Sequence, residues 1–76
     1  MTLTGQVLKL PFAQGTKSER DAVLLEVSDG TQYVLRRLGG NAFRDPVLDD
    51  LVEKHISCRG DLHGSTFLMR QWTEIE

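Results

Sequence analysis

The chain has 76 residues, 39% of them hydrophobic and 26% charged, with nine Lys and Arg against eleven Asp and Glu for a net charge of -2. That length supports one small domain over 1-76, burying only about 60% of the surface its unfolded form would expose. The composition is too apolar for a disordered segment, and the charge has the wrong sign for a protein that lives by neutralising phosphates.

Two further exclusions follow from the sequence. A single cysteine, Cys58, rules out an internal disulfide and suits a reducing compartment. The start M-T-L-T-G-Q-V-L-K-L lacks the basic head and continuous apolar core of a signal peptide, and the longest apolar run, A-V-L-L over Ala22 to Leu25, cannot span a bilayer. The expected address is the cytoplasm, with no membrane association.

In chain order, Leu3 to Phe12 alternates in two phases, Leu3, Gly5 and Val7, then Leu8, Leu10 and Phe12. A change of phase predicts a first strand that bends or bulges near Gly5 so that each half aims its own apolar set inward. Ala13 to Asp21 is polar, carries Gly15 and has no period, which predicts a loop. A-V-L-L-E-V and Q-Y-V-L-R-R-L then flank Asp29-Gly30, a hairpin signal because glycine supplies the positive φ such turns need.

After Gly39-Gly40 the period changes. Asp45 suits the N-cap, Pro46 the first helical position, and Val47, Leu48, Leu51 and Val52 recur at helical spacing, so a helix of two to three turns is expected from Asp45 to Lys54. The final third returns to period two. Ile56, Cys58, Gly60 and Leu62 share one face of a fourth strand; Phe67, Met69, Gln71, Thr73 and Ile75 share one face of a fifth; His63-Gly64-Ser65 forms the turn between them.

This pattern makes the adhesion-like tripeptide Arg59-Gly60-Asp61 part of a strand and not a display loop. Cys58, alternating with Ile56, is expected to be a buried small hydrophobe and not a nucleophile. His55 and His63 with one cysteine do not match zinc spacings, and Asp49 and Asp50 are explained by the helix dipole. No P-loop, G-x-S-x-G or H-E-x-x-H is present, so no catalytic residue, metal or cofactor is assigned and the chain is read as a non-enzyme.

The order strand, strand, strand, helix, strand, strand resembles the OB-fold, an all-β, five-stranded Greek-key barrel with one short helix between strands three and four. The closing run G-D-L-H-G-S-T-F-L-M-R-Q-W-T-E-I and the stretch G-G-N-A-F-R-D-P-V-L-D-D-L are similar to the ends and to the linker and helix of small bacterial proteins of this type. An SH3-like barrel is the rival, and a full helix over Asp45 to Lys54 discriminates against it.

The resemblance implies binding at the face of strands two and three, at the Ala13 to Asp21 loop and at Leu62 to Thr66. Two readings result. One is a protein-interaction or accessory module, monomeric or weakly dimeric. The other is weak binding of single-stranded nucleic acid, which needs rings on which bases stack beside cations that track phosphates. Tyr33 and Trp72 are the candidate rings, and Arg36, Arg37, Lys17, Arg20 and Arg70 the candidate cations. Arg36 and Arg37 are consecutive on a strand, so one faces outward while the other lies near the strand's end or snorkels.

Overall fold

The structure, a computed structural model, describes residues 1–12, 20–40 and 45–75, with backbone alone for 11, 12, 20 and 21. It is mostly β, with five strands and one short helix in the order β1 (Thr2–Phe12), β2 (Arg20–Val27), β3 (Gln32–Arg37), α1 (Pro46–Leu51), β4 (His55–His63) and β5 (Thr66–Ile75). Of the loop expected over Ala13 to Asp21, Arg20 and Asp21 already belong to β2, and 13–19 lie outside the described residues.

β1 pairs different parts of its length with two partners. Its first half pairs antiparallel with β4 from Thr2↔Arg59 to Gln6↔His55, and its second half pairs with β2 from Gly5↔Val27 to Phe12↔Arg20. Antiparallel β2–β3 and β4–β5 pairs and a parallel β3–β5 pair complete the closed order β1-β2-β3-β5-β4. Both tight turns use a glycine at positive φ, Gly30 between β2 and β3 and Gly64 between β4 and β5. In the second, only the first central residue has positive φ, the pattern of a type II′ turn whose twist matches the flanking strands.

One face of the closed sheet buries Val7, Leu25, Leu35, Ile56, Cys58, Phe67 and Met69, and α1 adds Leu48 and Leu51 to that cluster. Truncating a fully buried ring such as Phe67 in a core this small costs about 3–5 kcal/mol.

Three further sequence expectations change. Leu8 and Leu10, from the second apolar set of β1, do not turn inward: both ladders run through without a bulge, Leu8 stands opposite Leu24, and none of these three residues belongs to the central cluster. Leu8, Leu24 and Val34 form a cross-strand row on the outer face, with Leu24 buried and its two neighbours half-buried.

The helix is six residues long and ends before Lys54. Val52 leaves helical geometry at ψ 134, Glu53 adopts φ 71, and the backbone of 53 and 54 is taken up by β1, with Glu53 N donating to Val7 O at 2.6 Å and Val7 N to Lys54 O at 2.9 Å. Bonds to the sheet thus replace the next helical turn.

The phase of β5 also shifts. Its register runs from Gly60↔Met69 to Arg59↔Gln71, so Arg70 is an extra residue on β5. Beyond that bulge Trp72, opposite Cys58, takes the inward position that period two had given to Gln71 and Thr73, and it packs on the core while they are exposed.

Candidate functional site

On β3 the alternation separates the candidates. Leu35 is buried, and Tyr33, two residues before it, is half-buried against the core; Arg36, between Leu35 and Arg37, is exposed on the other face. Arg37 returns to the inner side at the strand's end, where Nε donates to Asp45 Oδ2 at 3.1 Å and Nη2 to Oδ1 at 3.2 Å. Asp45 is only 6% exposed and also accepts from Val47 N at 3.1 Å as the N-cap of α1. Arg37 is thereby a fastener between sheet and helix.

The outer face of β2 and β3 is built from Ala22, Leu24, Glu26, Gln32, Val34 and Arg36. Gln32 Nε2 donates to Glu26 Oε2 at 2.9 Å. Among the described residues the face therefore offers an apolar centre, a hydrogen-bonded edge that keeps the Glu26 carboxylate charge, and one cation, with no ring on which a base could stack.

Across the sheet, Arg36 pairs in register with Leu68, and Leu68 with Asp61. That outer row leads to the β4–β5 bulge. A two-residue turn at Gly64-Ser65 would set Arg59 directly opposite Arg70 in an unbulged hairpin, and like charges so placed are destabilising. The bulge moves Arg70 out of register, and Asp61 Oδ2 accepts from its Nε at 3.0 Å and its Nη2 at 2.8 Å. Gly60 sits where a Cβ would strike the carbonyl of Leu68, so only glycine lets β5 approach so closely there.

A groove of about 460 Å³ lies over this irregularity. Arg59, Gly60 and Asp61 of β4 and Arg70 of β5 line it, together with Met1 and Leu38, which are 63% and 52% exposed. Leu38 is held there by its N–H on Met69 O at 2.9 Å, and Met1 by its carbonyl, which accepts from Gly60 N at 2.9 Å. The adhesion-like tripeptide is thus strand backbone with its two charged side chains on the rim of a groove.

No protein-family model, curated protein or solved structure matches the chain.

The structure brings Arg36 and Arg70 to one outer surface and adds Arg59 to them. It leaves Tyr33 and Trp72 on the other side, packed on the core. Lys17 lies outside the described residues, and Arg20 is the first residue of β2 with only its backbone described. Cys58 is fully buried, its thiol donating to Leu3 O at 3.5 Å, and burial pushes its pKa up to about 11. His55 and His63 are exposed, and no cluster of three His, Cys, Asp or Glu able to hold a metal occurs among the described residues. No helix there is long and apolar enough to cross a membrane.

Sequence reasoning missed Arg59, Met1 and Leu38. For Arg59 a signal existed: with Gly64-Ser65 as the turn, counting back along both strands brings Arg59 to Arg70. Leu38 closes the run Q-Y-V-L-R-R-L, where period two sets it on the face of Arg36, whereas Met1 lies outside any periodic run and reaches the groove through a single backbone bond.

Proposed function

We propose that this chain is a non-enzymatic protein-interaction module built on a single OB-fold-like Greek-key barrel, acting in the cytoplasm as a monomer or weak homodimer. The strand order, with β1 shared between β2 and β4 and β3 parallel to β5, supports the fold reading. One observation carries the functional reading. The rings suited to stacking on bases, Tyr33 and Trp72, pack on the core, while Met1 and Leu38 stand exposed among arginines. Exposed aliphatic side chains beside arginine are surface that a folded or extended polypeptide covers, and nucleic acid gains little from it.

The second reading, single-stranded nucleic-acid binding, draws its support from Arg36, Arg59 and Arg70 on one outer surface of an acidic protein. Photocrosslinking in cells separates the two. A benzophenone side chain at Gln32, on the outer face of β3, and one at Gln71, beside the groove, are expected to give adducts that protease removes and nuclease leaves intact. Adducts sensitive to nuclease alone would reverse the order of the two readings.

A further inference from the structure

We propose that the groove over the β4–β5 bulge docks an extended acidic and aliphatic segment of a partner protein, its carboxylates on Arg59 and Arg70 and its aliphatic side chains between Met1 and Leu38. This rests on the protein-interaction reading and names the partner's chemistry.

Charge complementarity is the first support. Among the described residues Lys9, Arg37, Lys54 and Arg70 each pair with a carboxylate, whereas Arg59 and Arg36 have none, and both belong to the outer surface that contains the groove. Arg70 is preorganised, because both of its bonds to Asp61 fall on one oxygen and hold the guanidinium plane in place while its remaining N–H groups stay free to donate. A fork of this kind recognises a planar carboxylate well.

Apolar chemistry is the second. Among the described residues the exposed large hydrophobics are Met1, Leu38 and Ile75, and two of these three line this groove. Its volume of about 460 Å³ holds a few side chains and no folded domain. The bulge explains why the site lies here: it shifts Arg70 out of register with Arg59 and onto Asp61, and it interrupts the regular ladder. A phosphate-bearing strand would satisfy the arginines but leave Met1 and Leu38 without apolar partners, and the groove presents no ring.

The test is an amide chemical-shift titration of the whole chain with three probes: a capped heptapeptide alternating glutamate and leucine, the same peptide with lysine for glutamate, and a single-stranded thymidine oligomer. The glutamate peptide is expected to shift Leu38, Arg59, Gly60, Asp61 and Arg70, and the lysine peptide to shift none of them. Arg59→Glu should weaken the complex about tenfold or more at low salt, and Leu38→Ser should weaken it at every salt concentration. Both residues are exposed, and unchanged shifts in the core will report that each variant is folded. Absence of shifts with the glutamate peptide, equal binding of the lysine peptide, or tighter binding of the thymidine oligomer to the same residues would each overturn the proposal. If the peptide fails while the benzophenone at Gln32 still yields a protein adduct, the groove is wrong and the broader reading stands.

Discussion

Arg37 grips both carboxylate oxygens of Asp45, and the same Asp45 caps the helix through Val47 N. One buried carboxylate thus joins the last turn of β3 to the first turn of α1. Removing it leaves a half-buried guanidinium without its partner and the helix without its cap.

Asp45→Ala is therefore expected to lower stability by about 3 kcal/mol, within the range for breaking a largely buried ion pair. Asp45→Asn keeps a capping oxygen and should cost distinctly less. Urea denaturation followed by Trp72 fluorescence reads both, and equal losses for the two variants would show that the charge outweighs the cap.

Glu53 is the only non-glycine residue at positive φ among the described residues, and its side chain is exposed. The left-handed region costs an L residue roughly 1–2 kcal/mol, offset in part by glycine's greater freedom when unfolded. Glu53→Gly should thus stabilise by about 0.5–1 kcal/mol. A lower thermal midpoint for this variant would contradict the account of how α1 ends.

At Gly60 the obstacle to a side chain is the Leu68 carbonyl, which is fixed in a ladder. Gly60→Ala is expected to cost about 1–3 kcal/mol through overpacking. For a domain of this size that lowers the melting temperature by several degrees or more, with about 4–8 °C for each kcal/mol. An unchanged midpoint would mean that the bulge can reform elsewhere.

Cys58 supplies a pH dependence. Burial raises its pKa to about 11 in the folded chain, while the unfolded thiol titrates near its ordinary value. Between those two values the folded state holds a proton that the unfolded state has lost, so stability falls as pH rises from about 9 to about 11. The contribution is complete below that window. Comparing wild type with Cys58→Ala from neutral to alkaline pH should show this extra loss in the wild type alone. The native thiol should also resist alkylation at pH values where the unfolded chain reacts.

Much of the fold was legible because local chemistry and burial agreed. Asp29-Gly30 and Gly64-Ser65 declared their turns, and Ile56, Cys58 and Gly60 alternate as the fourth strand requires. The misreadings share a cause. The early end of α1, the outward row at Leu8 and the phase change before Trp72 are each decided by a partner strand: Val7 taking the backbone of Glu53 and Lys54, Leu24 meeting Leu8, and Arg59 opposing Gln71 and not Arg70. Periodicity within one segment carries no record of such pairings. The candidate site suffered most, since residue type alone selected Tyr33 as a ring and Arg37 as a cation, while pleat and helix capping decided that neither stands free on the outer surface.

Gly5 pairs with Val27 on one side and with Ile56 on the other. Its first neighbour lies close along the chain, and the second arrives only after β2, β3 and the helix have been made. The bonds that join Thr4 and Ser57, or Cys58 and Leu3, span 53 and 55 residues. Closing loops of that length is an entropic cost that no local contact offsets in advance, so the order of assembly is constrained. The β2–β3 and β4–β5 hairpins close short loops and can form early and independently, whereas the β1–β4 ladder closes a much longer one and is expected to form late. Folding on roughly the millisecond-to-second scale of nonlocal β proteins is the expected kinetic counterpart of a single strand that must satisfy both of its neighbours.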